Sequence, residues 1–353
     1  MTKIKKQFSS RSSSIDFAFV IDVDGVLLRG RTAIPRAAEG IEILQNSGIP
    51  HLLVTNGGGR TEKEMALKIS AALGVSLEES QMQMSHTPLK FMPDEVKKSY
   101  TLALGPGKNT RHLMESYGFT NVITADEFHA LYPTIWPDEE PMECEIKEEW
   151  HQPIENVVVV YTPAEWYRDL QIACDMVRSN GIPGNLVDEQ RIPLYFAGPD
   201  FEYAAEMNVP RLGAGAFLKC LEHLFYLSTG QSLNCCILGK PKQITYNCAM
   251  QLLQKQAENL NCKPLRIIYA IGDNPSTDIA GANSAGSRWT SVLVETGLFQ
   301  KVGNLENDVE NPADLVYPDF YSAVTGIMEL GNGDCINLSN DNHEDDFEES
   351  EPL

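Results

Sequence analysis

Two aspartates, Asp22 and Asp24, directly follow the apolar run FAFVI, whose sequence predicts a buried β-strand. Side chains alternate along a strand, so these two carboxylates can converge at one strand end if the extended geometry continues for one more step. Carboxylates held close together repel, which raises the pKa of one of them or recruits a cation. This setting suits a metal-assisted nucleophile with its own acid/base partner. The competing interpretation is a solvated turn, because Asp and Gly are common in turns.

Three further apolar runs also end in polar residues. Thr55 ends HLLVT, Lys240 follows CCILG, and Asp273 follows RIIYAIG, with Asp278 a few residues further along. Each of these alone fits a turn or a solvated loop. Together they supply hydrogen-bond donors, a fixed positive charge and carboxylates for a divalent cation, which is the set that phosphoryl transfer requires.

The elements that carry these residues alternate between strand and helix. Apolar runs and helix-periodic segments follow one another at a spacing that predicts a parallel sheet with right-handed crossovers. Ligands bind beyond the carboxyl ends of the strands in such sheets, which is where the polar residues lie. The predicted fold class is α/β, with a doubly wound, mostly parallel core and an inserted α/β cap. The predicted division is a basic, serine-rich segment 1–15, a core formed by 16–88 and 206–330, a cap 89–205, and an acidic disordered tail 331–353.

The composition excludes several classes of protein. The 353 residues carry a formal net charge of −21, which argues against a general nucleic-acid binder, because such proteins present a basic face. Acidic residues concentrate in 138–149 and 334–353, both predicted to be solvated and flexible. No apolar run approaches the roughly 18 residues of a membrane-spanning helix. The eight cysteines form no C-x-x-C pair, which gives little support to a zinc or redox motif and favours a reducing compartment.

The order and form of four motifs resemble the haloacid dehalogenase superfamily. The motifs are IDVDGV, LLVTN, LGKP and GDNPSTD, and the resemblance spans residues 16–330. The form of the last motif and the long insert between Thr55 and Lys240 are similar to class IIA, the p-nitrophenylphosphatase-like branch with a large α/β cap. More narrowly, DGVLLRG, TNGGG and SHTPLK resemble a subfamily of fungal and animal hydrolases. That subfamily is linked in name to the cat-eye-syndrome critical region, and its members are often mitochondrial.

The resemblance implies a catalytic role for three of the residues. Asp22 would be the nucleophile that forms an aspartyl-phosphate, and Asp24 would protonate the leaving oxygen before activating water. Lys240 would compensate charge on the nucleophile and on the phosphate. Dehalogenases of the superfamily lack an acid at the place of Asp24, so a phosphate substrate is favoured over a haloacid.

The same resemblance implies the contacts to the substrate. The hydroxyl of Thr55 and the backbone amides of Asn56 and Gly57 would hold the phosphoryl oxygens. Asp200 follows LYFAGP in the segment that resembles the class IIA return from cap to core, and it is the candidate substrate contact from the cap. A plain strand-to-loop turn is the alternative interpretation of Asp200.

A magnesium site is the cofactor site that the resemblance implies. Mg²⁺ would be bound by the Asp22 carboxylate, the backbone carbonyl of Asp24 and the Asp273 carboxylate, with waters completing its octahedron. Asp278 would orient Lys240 or a metal-bound water from outside the ligand set.

The predicted function is Mg²⁺-dependent hydrolysis of a small-molecule phosphate ester through an aspartyl-phosphate. The alternative is a catalytically weak or inactive protein of this fold that acts as a binding or regulatory partner. A dinucleotide-binding oxidoreductase is disfavoured, because no G-x-G-x-x-G follows the first strand. Class IIA caps often pair, so a homodimer through the cap is a further candidate. The basic, serine-rich N-terminus predicts mitochondrial localisation, with a cytoplasmic protein as the alternative.

Overall fold

The computed structural model of the chain describes residues 15–207, 209–299 and 306–332. The N-terminal segment and the acidic tail that the sequence singled out therefore lie almost entirely outside the described residues. The strands of the described part are β1 (Phe17–Ile21), β2 (Leu28–Arg29), β3 (Thr32–Ala33), β4 (His51–Thr55), β5 (Met82–Met84), β6 (Thr101–Leu104), β7 (Val122–Thr124), β8 (Asn156–Val159), β9 (Leu194–Ala197), β10 (Glu202–Tyr203), β11 (Arg211–Leu212), β12 (Cys236–Leu238), β13 (Ile267–Gly272), β14 (Trp289–Val294) and β15 (Leu315–Tyr317). The helices are α1 (Ala37–Ser47), α2 (Glu62–Leu73), α3 (Asp94–Lys98), α4 (Asn109–Ser116), α5 (Ala125–Leu131), α6 (Trp166–Val177), α7 (Ala214–Thr229), α8 (Gln243–Asn259), α9 (Ala280–Ser284) and α10 (Phe320–Asn332).

The first sheet contains six strands in the order β15–β14–β13–β1–β4–β5, and every neighbouring pair is parallel. Strand β1 lies inside this sheet and is apolar on both faces, as a buried parallel strand requires. Phe19 and Ile21 belong to one hydrophobic cluster, whereas Ala18 and Val20 belong to another. This alternation shows that the strand packs against helices on both sides.

Helices cover both faces of the first sheet. Buried side chains of α1, α2 and α10 share one cluster, represented by Leu44, Ile69 and Val324. Buried side chains of α8 and α9 form the cluster on the opposite face, represented by Leu253 and Ala282. This arrangement confirms the predicted doubly wound α/β fold.

The second sheet contains five parallel strands in the order β12–β9–β8–β6–β7. Helices α6 and α7 pack on one face of it, with Ile172 and Phe217 in the same cluster, and Leu113 of α4 packs on the other. Four of these strands fall in the range predicted for the cap. The fifth, β12, and helix α7 fall in the range predicted for the core. They join the second sheet because residues 236–238 hydrogen-bond to β9.

Two short antiparallel hairpins accompany the sheets. The hairpin β2–β3 begins a few residues after Asp24, and the hairpin β10–β11 follows Asp200. Both hairpins therefore leave from positions that the sequence assigned to the site. Among the described helices, none combines the length and the apolar character needed to cross a membrane.

Candidate active site

Three of the predicted site residues lie at the carboxyl edge of the first sheet. Strands β13, β1 and β4 are neighbours in that sheet, and they end at Gly272, Ile21 and Thr55. Asp22 and Asp273 follow the first two ends directly, so all three polar groups stand side by side. Convergence of parallel strand ends is the physical reason why motifs far apart in sequence form one site.

Lys240 reaches the same point from the second sheet. It follows β12, it is 4% exposed, and its Nζ lies 2.5 Å from Asp22 Oδ1 and 2.6 Å from Asp278 Oδ1. Burial alone would lower the pKa of Lys240, but the carboxylates of Asp22 and Asp278 raise it well above its ordinary value. Lys240 is therefore a permanent cation held between two carboxylates.

Burial dominates the electrostatics of the nucleophile candidate. It raises the pKa of Asp22 well above its usual range, and Lys240 opposes that shift while the neighbouring carboxylates add to it. The backbone of Asp22 is also fixed, because its amide donates to the carbonyl of Ile271 at 2.9 Å. The site thus needs positive charge close to Asp22 to keep this carboxylate ionised.

A cluster of buried carboxylates provides a place for such a charge. One oxygen from each of Asp22, Asp273 and Asp278 can be chosen so that all three lie within 4.8 Å of one another. Burial, and then the carboxylate of Asp278, raise the pKa of Asp273 to about 8. Gly25 gives the cluster its space, because a Cβ at this position would lie 2.4 Å from Asp273 Oδ2. An all-oxygen, acidic donor set of this kind fits Mg²⁺.

The ligands of the implied ion stay a prediction. Asp22 and Asp273 belong to the cluster as expected, and Asp278 contributes the third carboxylate, with all three oxygens within 4.8 Å of one another. Asp278 also forms an ion pair with Lys240 through Oδ1, and its Oδ2 accepts from the amide of Asn274 at 3.1 Å. These contacts agree with the role of orienting Lys240 that the resemblance implies for Asp278.

Asp24 occupies a turn between β1 and β2, where its half-buried side chain lines a cavity. The turn is closed by a bridge between Asp24 and Leu28 and by a hydrogen bond from the Gly25 amide to the Leu28 carbonyl at 2.7 Å. Burial raises the pKa of Asp24, while Lys68 and Lys240 oppose the rise. A carboxyl with a raised pKa holds a proton closer to neutral pH, which suits a general acid.

The segment after β4 is organised by a side chain rather than by the backbone. The amide Nδ2 of Asn56 donates to Asp200 Oδ1 at 2.7 Å and to the Lys240 carbonyl at 2.9 Å, and its Oδ1 accepts from the Lys240 amide at 2.7 Å. Asn56 therefore joins β4, β12 and the segment after β9. The Gly57 amide donates to Thr55 Oγ1 at 2.9 Å, so this expected phosphate donor is engaged with Thr55 in the structure.

A cavity of about 340 Å³ contains the residues brought together here, including Asp22, Asp24, Thr55, Asp200 and Lys240. Its wall also includes residues that the sequence did not single out, namely Arg60, Lys68, Tyr161 and the segment 202–206 with hairpin strand β10. A signal for two of them exists in the sequence. Arg60 immediately precedes Thr61, the N-cap of α2, and Lys68 lies one turn after the buried Met65 on that helix, which places it on the same face.

Comparisons with known proteins agree with this geometry. The family described as haloacid dehalogenase-like hydrolase matches residues 19–120, and a second, HAD-hydrolase-like family matches residues 237–323. A Saccharomyces cerevisiae protein named as a mitochondrial hydrolase is 32% identical, over 92% of this chain and 98% of the yeast protein. The chain belongs to the haloacid dehalogenase-like hydrolases.

Two further similarities are to a fungal fusion protein and to a solved structure. A Schizosaccharomyces pombe protein named as a cardiolipin synthase (CMP-forming) / mitochondrial hydrolase fusion is 35% identical over 89% of this chain, which spans only 54% of the fusion protein. The p-nitrophenyl phosphatase from Archaeoglobus fulgidus has the same fold, with a TM-score of 0.61 and 18% identity over 89% of this chain and 99% of that one. The chain therefore has the same fold as a p-nitrophenyl phosphatase, as the resemblance to class IIA predicts.

Proposed function

We propose that this hydrolase is a Mg²⁺-dependent phosphatase of a small phosphorylated metabolite, acting through an aspartyl-phosphate formed on Asp22. The observation that carries the proposal is the Asp22 carboxylate, placed 2.5 Å from Lys240 Nζ and beside Asp273 and Asp278 in the wall of a cavity. Phosphoryl transfer needs a positioned nucleophile and charge compensation rather than unusual functional groups. The position of the Asp22 carboxylate beside Lys240 supports both requirements.

In the first step, an Asp22 oxygen attacks phosphorus while the bond between phosphorus and the leaving oxygen breaks. Asp24 gives its proton to the leaving alkoxide, which departs as an alcohol. In the second step, the Asp24 carboxylate takes a proton from water, and the resulting hydroxide attacks phosphorus. Inorganic phosphate leaves, Asp22 becomes a carboxylate again, and Asp24 is protonated for the next turnover.

The remaining residues hold charge and position. Lys240 stays protonated between Asp22 and Asp278, so it can offset negative charge on the phosphoryl oxygens as the nucleophile loses its own charge. The hydroxyl of Thr55, whose oxygen accepts from Gly57, still has a proton to donate to a phosphoryl oxygen. Bound Mg²⁺ would neutralise the clustered carboxylates and the charge that spreads over the phosphoryl oxygens.

The test compares the full chain with its Asp22→Asn variant on p-nitrophenyl phosphate in the presence of Mg²⁺. We expect turnover by the wild type and a loss of at least about 1,000-fold in the variant, since the nucleophile is removed. Asp188→Asn, which changes an exposed carboxylate outside the cavity, is the matched control. Equal inertness of wild type and variant across a broad panel of phosphate esters would contradict the proposal.

Beryllofluoride separates a competent enzyme from an inactive binding protein of the same fold. This ligand mimics a phosphoryl group on a carboxylate, so with Mg²⁺ it should raise the melting temperature of the wild type and leave Asp22→Asn unchanged. The absence of a shift in the wild type would favour the inactive alternative.

We also propose that the protein acts in mitochondria. Two yeast relatives are named as mitochondrial proteins, and the first residues of this chain are basic and rich in serine. A reporter fused to residues 1–20 should reach mitochondria, and a reporter that stays in the cytosol would contradict the N-terminal signal. Pairing of two copies through the cap stays a prediction, for which sedimentation of the full chain is the measurement.

A further inference from the structure

The wall of the cavity differs in character between its buried and its exposed parts. The buried part contains Asp22, Lys240, Asp273 and Asp278, each at most 7% exposed. The exposed part includes three cations, Arg31, Arg60 and Lys68, and acidic and aromatic residues of the hairpin segment. Chemistry at phosphorus belongs to the buried part, so the exposed part is where the leaving group of a substrate would lie.

Arg60 and Lys68 are not needed to balance the buried carboxylates. Lys240 already contacts Asp22 and Asp278, and the ion would bind beside them. Within the described residues, neither Arg60 nor Lys68 makes an ion pair within 4.0 Å, although both line the cavity. They are therefore free to bind a group that enters from solvent.

The backbone at both cations is fixed. Thr61 caps α2 by accepting from the Glu64 amide while the Glu64 side chain accepts from the Thr61 amide, which holds the chain immediately after Arg60. Met65, one turn before Lys68, is buried and also lines the cavity. The two cations thus project from a rigid helix start and from one face of the same helix.

Lys68 lies in the part of the cavity that would hold the leaving group. Lys68 lines the same cavity as Asp24 and as Glu206 of the hairpin segment. Asp24 is the residue that protonates the leaving oxygen in the proposed reaction. Lys68 is therefore an exposed cation in the cavity that would hold the leaving group.

We propose that Arg60 and Lys68 bind a second anionic group, a carboxylate or a phosphate, on the leaving group of the substrate, so that the enzyme prefers acidic phosphate esters. This inference rests on the proposed phosphatase function. Arg pairs with a carboxylate or a phosphate through two parallel hydrogen bonds, while Lys adds a point charge, so the two together recognise either group. Glu202, an exposed acid on the same wall, would suit an ammonium group instead, and that outcome is included in the test.

The test uses two substrates with the same three-carbon skeleton. Glycerol 3-phosphate has an uncharged leaving group, whereas 3-phosphoglycerate carries a carboxylate in place of the terminal hydroxymethyl group. We expect the wild type to have the higher kcat/KM for 3-phosphoglycerate. The ratio of the two kcat/KM values should fall roughly tenfold or more in Lys68→Ala and in Arg60→Ala, because each variant loses one charge-assisted contact.

Lys63→Ala is the matched control, because Lys63 is exposed on the same helix but does not line the cavity. Lys68→Arg should recover most of the ratio, which a purely structural role would not require. Titration of 3-phosphoglycerate into the Asp22→Asn protein, with and without Lys68→Ala, measures the same contact without turnover. Melting temperatures of all variants show whether each is folded.

Several outcomes would overturn the inference. A wild-type ratio of one or less, or a ratio unchanged in both Lys68→Ala and Arg60→Ala, would remove the second anion site while p-nitrophenyl phosphate turnover kept the phosphatase function. Faster hydrolysis of phosphoethanolamine than of 3-phosphoglycerate would assign this wall to a cationic group. A wild type inert toward every phosphate ester would overturn both the inference and the proposed function.

Discussion

At the scale of single residues, Asn56 is the side chain on which the geometry of the site depends most. Its two amide atoms serve three hydrogen bonds, two to the backbone of Lys240 and one to Asp200. Asn56 and Lys240 are both about 5% exposed, so water cannot replace these bonds. The uncharged side chain of Asn56 therefore fixes the backbone of Lys240, whose ammonium contacts Asp22.

We predict that Asn56→Ala lowers both activity and stability. The substitution leaves the buried amide and carbonyl of Lys240 without their partner, which costs about 2–4 kcal/mol of unfolding free energy in total. Urea unfolding of the full chain measures this, and kcat should fall as well because Lys240 is no longer fixed. Asn247→Ala, on the exposed face of α8, is the control. An Asn56→Ala protein as stable as the control would show that the loop holds Lys240 by other contacts.

At the scale of elements, the segment after β5 is tied to α2 and α4 by a buried polar network. The Tyr117 hydroxyl donates to Glu62 Oε1 at 2.8 Å, and Thr87 Oγ1 donates to the same oxygen at 2.7 Å. His86 Nδ1 lies 2.8 Å from the Tyr117 hydroxyl. Because the single hydroxyl proton goes to Glu62, His86 must donate from Nδ1. Lys90, 2.8 Å from Glu62 Oε2, completes the charge balance.

This network makes stability depend on pH through His86. Burial lowers the pKa of His86 to about 4, with Glu62 raising it and Lys90 lowering it further. The unfolded chain binds a proton at this residue below about pH 6.5, whereas the folded protein does not until about pH 4. The contribution of neutral His86 to the free energy of unfolding is thus complete above about pH 6.5, and it is lost as pH falls from there to about 4.

We predict that His86→Gln removes part of the acid sensitivity of the fold. Between pH 7.5 and pH 5 the wild type should lose about 2 kcal/mol of unfolding free energy through His86 alone. The glutamine can still donate to Tyr117 but has no charge to acquire, so the variant should lose correspondingly less. His112→Gln, an exposed position on α4, is the control. Equal losses in wild type and His86→Gln would refute this role.

The elements also show what a sequence can and cannot predict. The meeting of Asp22, Thr55 and Asp273 was predictable, because adjacent parallel strands bring their carboxyl ends together. The pairing of β12 with the second sheet was not, since an apolar run shows that a strand exists and not which neighbour it binds. The hydrogen bonds of Asn56 could not be predicted from the sequence for the same reason, because both of its partners follow strands that are distant in sequence.

At the scale of the whole molecule, the site is assembled from both sheets. Asp22 and Asp273 follow strands of the first sheet, whereas Lys240 and Asp200 follow strands of the second. The ion pair between Lys240 and Asp22 and the hydrogen bond between Asn56 and Asp200 cross from one to the other. Any ligand that completes the charge balance of the site must therefore stabilise the docking of the two sheets, and with it the folded chain.

This linkage predicts opposite effects of one substitution in the absence and presence of Mg²⁺. Asp273→Asn removes a buried carboxyl whose pKa is raised to about 8, so the variant avoids the cost of protonating that group or burying its charge, and its amide oxygen can still accept from the Leu298 amide. The metal-free variant should therefore melt at a higher temperature than the metal-free wild type.

Saturating Mg²⁺ should reverse the order of melting temperatures. At 100 times its dissociation constant, a ligand stabilises the folded state by about 2.7 kcal/mol, which corresponds to a few degrees in a chain of this size. The wild type should gain that shift and Asp273→Asn should gain little of it, while the exposed control Asp188→Asn behaves as the wild type. Scanning calorimetry with EDTA and then with excess Mg²⁺ measures both. Substitution of a residue that only supported the local backbone would lower the melting temperature in both conditions. A reversal of the order of the two melting temperatures between EDTA and Mg²⁺ therefore identifies Asp273 as a ligand.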